Sequence, residues 1–107
     1  MQITNHRFEG KDVSGNDIKF LQTQNFWSGP FRTSTGLPDA IIIHYTAMTD
    51  LAGAVKVLTT KKTKNNASAH LVIGKNGEVV QLATFDQRTW HAGVSSYNGR
   101  EGYNHFS

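Results

Sequence analysis

The sequence predicts a small domain of α/β or α+β class, and three observations carry that prediction. Residues 40–43 (Ala-Ile-Ile-Ile) form a continuous, largely β-branched run. Leu51, Ala54, Val55 and Leu58 then recur at i, i+3, i+4 and i+7, the stripe of an amphipathic helix. Finally, two β-rich runs flank Asn76-Gly77, the strongest short-range hairpin signal. Strand, helix and hairpin in that order call for a sheet covered by helix. The 107 residues suit one domain, and 37% hydrophobic residues is globular rather than disordered composition.

The elements follow in chain order. Up to residue 38 the chain is polar and broken by Gly10, Gly15, Gly29, Pro30, Gly36 and Pro38. Residues 17–21 read as a short strand, and Phe26, Trp27 and Phe31 as apolar anchors, so residues 1–37 form a long arm lying on a core built elsewhere. The run at 40–43 fits a strand buried on both faces. It ends abruptly in His44-Tyr45-Thr46-Ala47. Thr49 or Asp50 caps the helix that follows, while Lys61, Lys62 and Lys64 complement the dipole at its far end. That helix is expected to stop near Lys62, before Asn65-Asn66. Residues 70–73 and 78–82 pair across the turn at 74–77. From residue 83 to Ser107 periodicity is lost, and Trp90, His91, Tyr97, Tyr103 and His105 lie among glycines as a long aromatic loop.

Composition removes several classes of function. No apolar run approaches the ~18 residues of a membrane span, and the first ten residues lack the pattern of a secretory signal. The absence of cysteine removes disulfides and thiolate metal sites, suits a cytoplasmic protein slightly better, and leaves compartment open. Eleven basic against eight acidic residues give a net charge of +3, too mild to argue for nucleic acid.

Chemistry concentrates in the histidines. His44 follows a strand, where α/β folds often place ligands; it is either a metal ligand or a strand-end imidazole bonded to backbone or water. His70 shares a strand face with Val72 and reads as a hydrogen-bonded core residue. His91 lies between Trp90, a flat apolar surface for a sugar ring or peptide, and Gly93, which admits close approach of a ligand. A catalytic zinc takes three protein ligands and one open position; spacing offers His44, His91 and His105 without choosing among them. His6 and His105 have no informative local context.

Four ordered blocks resemble a known family. Ile41-Ile42-Ile43-His44-Tyr45-Thr46-Ala47 is similar to the first zinc-ligand segment of the zinc-dependent N-acetylmuramoyl-L-alanine amidases, relatives of the peptidoglycan recognition proteins. Residues 68–73 with 75–78 and 80–82 resemble that family's hairpin. Residues 85–95, containing Arg88-Thr89-Trp90-His91-Ala92-Gly93, resemble its substrate-groove loop. Gly99-Arg100-Glu101 and Asn104-His105-Phe106-Ser107 resemble the approach to its next strand.

The resemblance implies an α/β fold with a mixed central β-sheet and flanking helices. It also implies hydrolysis of the amide between N-acetylmuramic acid and L-alanine in peptidoglycan or muropeptides. It places His44 as a zinc ligand, Trp90, His91 and Asn104 at the substrate, and His70 in a structural or supporting role. Ala69 stands where phage relatives carry a catalytic tyrosine. The family's catalytic Glu and its later His and Asp zinc ligands have no counterpart up to Ser107, so residues 38–107 are expected to form an incomplete amidase domain, truncated at its C-terminus. The expected activity is therefore an impaired amidase, or alternatively a non-catalytic muropeptide-binding module. Zinc and peptidoglycan fragments are the implied cofactor and partner, and self-association through an exposed sheet edge is expected.

Overall fold

The computed structural model describes residues 2–46, 48, 50–62 and 66–107. Ala47, Thr49, Lys64 and Asn65, used in the sequence reading, lie outside the described residues. The elements are β1 (Gln2–Thr4), β2 (Arg7–Glu9), β3 (Lys19–Phe20), β4 (Phe26–Trp27), α1 (Leu51–Thr59), β5 (Leu71–Ile73), β6 (Val79–Gln81), β7 (Arg88–Thr89), β8 (Ser96–Tyr97) and β9 (Arg100–Glu101), followed by a 3-10 turn at Tyr103–His105.

The central sheet is mixed, with order β3-β6-β5. β5 and β6 form the expected hairpin, Val72 opposite Val80, while β3 runs parallel to β6 with Lys19 opposite Val80. Gly77 closes the hairpin turn at φ 85°, a left-handed conformation that favours glycine. The short strand expected at 17–21 is thus present as β3, and its ladder extends through Leu21 N–H to the Gln81 carbonyl (2.9 Å) and Thr23 N–H to the Leu82 carbonyl (2.7 Å).

Helix α1 packs its predicted stripe on this sheet. Ala54, Val72 and Leu82 form the buried core, flanked by Leu51, Val55, Leu58 and Val80. Asp50 is the N-cap, accepting from Gly53 N–H at 2.7 Å. The helix ends at Thr59 rather than near Lys62, and the hydrogen bonds give the reason. Thr60 turns extended, while the Thr23 hydroxyl donates to the Leu58 carbonyl (2.7 Å) and Asn25 Nδ2 to the Thr60 carbonyl (3.0 Å). These donors from the N-terminal segment satisfy carbonyls that further helical turns would have used.

Two other expectations are corrected. Residues 40–43 form no strand, and Ile41 and Ile43 are 92% and 93% exposed. The segment is tied at its start, where the Phe106 carbonyl accepts from Asp39 and Ala40 N–H (3.0 and 3.2 Å). Between that anchor and His44, no described strand lies alongside to complete a ladder, and β-propensity without a neighbour does not bury a side chain. The loop expected over residues 83–107 instead contains β7, β8, β9 and the 3-10 turn. Their partners come from far away in sequence (β4 with β7) or are two-residue strands too short to show alternation.

Candidate functional site

The site is built around β7, which pairs with β4 so that Trp27 faces Arg88. Alternation places Arg88 and Trp90 on one side of the strand. The Trp27 and Trp90 rings lie 5.6 Å apart, and the Arg88 guanidinium sits 4.7 Å over Trp27. Ser68, almost fully buried, receives Trp90 N–H on its hydroxyl (2.9 Å) and donates its own N–H to the Trp90 carbonyl (3.0 Å). The backbone of Trp90 is thereby hydrogen-bonded through both its N–H and its carbonyl, while the residue as a whole remains 38% exposed.

The next turn is held from the 3-10 segment. Asn104 Oδ1 accepts from His91 N–H at 3.0 Å and from Ala92 N–H at 2.8 Å. So held, the His91 ring lies with Nδ1 2.9 Å from His44 Nε2, and its Nε2 3.2 Å from both the carbonyl and the hydroxyl of Ser107. A carbonyl can only accept, so His91 carries its proton on Nε2 and His44 donates to Nδ1. Burial pushes the His91 pKa down; the Ser107 bond opposes this, and His44 and His70 add to it.

Three of the sequence-identified residues, His44, His91 and Asn104, thus lie in one hydrogen-bonded chain, with Trp90 beside it. His70 is the core residue expected. Its Nε2 lies 2.7 Å from the Gln87 carbonyl, its ring packs between Phe31 and Phe85, and burial lowers its pKa against the effect of that bond. His105 does not join His44; it faces Arg88, with Nη1 3.0 Å from its Nδ1.

Among the described residues, no three His, Asp or Glu side chains come together to hold a metal ion. His44 and His91 approach each other closely enough to share a proton, and among the described residues no third His, Asp or Glu joins them. A catalytic zinc with three protein ligands therefore does not fit these residues by themselves.

Sequence reasoning gave no role to Arg88 or Ser68, and offered His105 only as a metal candidate by spacing rather than as the partner of Arg88. Arg88 carried a usable signal, two residues from Trp90 on the same strand face. Ser68 and His105 carried none, because their partners are distant in sequence.

Residues 34–107 match the family described as N-acetylmuramoyl-L-alanine amidase. The chain belongs to that family. The 1,6-anhydro-N-acetylmuramyl-L-alanine amidase AmpD of Citrobacter freundii is 62% identical over 40 residues, 37% of this chain and 21% of that protein. AmpD of Escherichia coli strain K12 is 60% identical over 40 residues, covering 37% and 22%. A crystal structure of a selenomethionine AmpD derivative aligns with a TM-score of 0.70 at 25% identity, over 99% of this chain and 62% of that one. The amidase fold, a mixed sheet with its helix, is thus shared, while the chain spans less than two thirds of that solved relative.

Proposed function

We propose that this chain binds peptidoglycan-derived muropeptides at the Trp90–His91 turn and acts on the amide between N-acetylmuramic acid and L-alanine, preferring the 1,6-anhydro form named for its relatives. The observation that carries the reading is the Asn104-held turn, which presents an exposed Trp90 beside His91 and aims His91 at His44. In this reading the Trp90 face takes the pyranose ring, as aromatic surfaces stack on apolar sugar faces. His91 lies at the scissile amide, and Asn104 keeps the loop in register. His44 is the one residue at a family zinc-ligand position, and zinc is the cofactor the family implies. Because the described residues supply no complete ligand set, hydrolysis by this chain is expected to be impaired.

A second reading, a muropeptide-binding module without catalysis, is favoured by the same missing ligand set. Titration of the chain with 1,6-anhydro-N-acetylmuramyl-peptide, followed by Trp fluorescence, tests binding; chromatography for released L-alanyl peptide tests hydrolysis. Binding with release supports the amidase, and binding without release supports the module. Absence of both would overturn the assignment to muropeptides.

A further inference from the structure

The chain contains two Asn-Gly steps, Asn76-Gly77 and Asn98-Gly99, and the fold holds them differently. In such a step the glycine has no Cβ to shield its backbone nitrogen. That nitrogen can reach the side-chain carbonyl carbon of the asparagine whenever the turn opens, so the restraint on each turn decides its chemistry.

Asn76-Gly77 is clamped. Gly77 N–H donates to the Gly74 carbonyl at 3.0 Å, and Gly74 N–H to the Glu78 carbonyl at 2.8 Å. The glycine packs so closely on Val13 that a Cβ there would run into Cγ2. Its hairpin, β5–β6, belongs to the central sheet and puts Val72 into the core.

Asn98-Gly99 has none of these restraints. The two residues are the whole loop between the paired Tyr97 and Arg100, at φ 52° and 81°, the left-handed pair of a type I′ turn. Both are exposed. Among the described residues Gly99 N–H donates to no backbone carbonyl, and nothing beyond its chain neighbours lies within 4 Å of where a Gly99 Cβ would stand. Strands β8 and β9 pair only with each other, and a two-stranded ribbon is marginal by itself, so this tip opens locally far more readily than β5–β6.

We propose that Asn98 is a modification site, deamidating spontaneously through a succinimide to aspartate and isoaspartate. The Gly99 nitrogen, its proton lost to hydroxide, attacks Asn98 Cγ. The N–Cγ bond forms, the Cγ–Nδ2 bond breaks, and Nδ2 leaves as ammonia with a proton from water. Water then opens the ring: cleavage of N–Cγ gives aspartate, and cleavage at the main-chain carbonyl carbon gives isoaspartate with an extra methylene in the backbone. Either product adds one negative charge, taking the net charge from +3 to +2. Isoaspartate also lengthens a two-residue turn, which then no longer sets Tyr97 opposite Arg100. Arg100 ties the hairpin to Asp39 through bonds of 2.6 and 2.8 Å and covers the Phe106 ring at 4.5 Å. Because Asp39 and Ala40 N–H donate to the Phe106 carbonyl, loss of that register loosens the anchor of residues 40–43.

The test incubates the full chain at mildly alkaline pH, with and without urea, and follows both steps by peptide mapping and mass spectrometry. In the native chain Asn98 is expected to convert at least about fivefold faster than Asn76, the factor that one hydrogen bond on Gly77 N–H confers. In urea the two rates should converge. Asn98→Gly keeps a type I′ turn and should lose the acidic species. An intact Asn98, Asn76 converting as fast in the native chain, or the same gap persisting in urea would overturn the inference. The Arg100 guanidinium NMR signals should change in the isoaspartyl fraction and persist in Asn98→Asp, which carries the charge without the longer backbone. Unchanged signals in the isoaspartyl fraction would remove the link to Asp39.

Discussion

Replacing Asn104 with alanine isolates the contact on which the site's geometry depends. Its Oδ1 accepts two backbone N–H groups, from His91 at 3.0 Å and Ala92 at 2.8 Å. An intramolecular hydrogen bond contributes about 1 kcal/mol net, so the turn loses about 2 kcal/mol, a factor of about 30 in its closed-to-open ratio. Hydrogen exchange at the His91 and Ala92 amides should rise by up to that factor. Amides in the core strand β6 should keep their protection, because the turn opens locally. On the proposed muropeptide reading, affinity for that ligand should fall in proportion to the closed fraction. Asn104→Asp keeps both acceptor lone pairs and is expected to restore the protection. Unchanged exchange in Asn104→Ala, or Asp behaving like Ala, would show that something else holds His91 and would refute the reasoning.

The remaining expectations concern stability and association. Gln81 is 1% exposed, and its amide accepts from Phe8 N–H (2.7 Å) while donating to the His6 and Ala83 carbonyls (3.0 and 2.8 Å). Gln81→Leu strands these groups and should cost about 2–4 kcal/mol in urea unfolding; a loss below about 0.5 kcal/mol, the range of ordinary surface substitutions, would mean that water replaces them. Gly77→Ala places a Cβ against Val13 Cγ2 at φ 85°. Adding Val13→Ala should relieve the clash but leave the ~1–2 kcal/mol backbone strain, so full rescue would locate the cost in the clash alone. For His70 the folded pKa lies below the ordinary 6.5, so the unfolded chain binds its proton first as pH falls. Stability should therefore be flat above about pH 6.5 and decline below it, by at most ~1.4 kcal/mol per pH unit for this proton. His70→Asn should shallow that decline without removing it, since the His91 pKa is lowered as well. Sedimentation should show concentration-dependent association through exposed Ile41 and Ile43, abolished by Ile43→Lys; a monomer at all concentrations would rule that contact out.

What was legible in the sequence followed how local each determinant is. The α1 stripe and the Asn-Gly hairpin are fixed by neighbours within four residues or by a single turn, and both formed as read. Residues 40–43 failed because a strand needs a partner as well as propensity, and no described segment pairs with them. The end of α1 was misplaced because the groups that stop it, Thr23 and Asn25, lie about 35 residues upstream. In the site, Trp90 and His91 were legible from their local context and Asn104 from the resemblance of its block, whereas Ser68 and His105 act through contacts that no local pattern encodes.

Those non-local contacts place part of the site's control outside the family blocks. Trp27 on β4 supports the Trp90 ring, and Asn25 accepts the Ser68 hydroxyl that fixes the Trp90 backbone. Arg32 N–H donates to the His105 carbonyl, tying down the 3-10 turn that carries Asn104. All three precede residue 34, where the family match begins. A chain could therefore keep His44, His91 and Asn104 and still change what it holds by altering residues 25–32. Trp27→Ala tests this division: it should weaken muropeptide binding by loosening Trp90, while the His44–His91 contact, held from Asn104 and Ser107, persists in the imidazole NMR signals. Loss of both together would mean that the aromatic wall and the histidine pair form one cooperative unit.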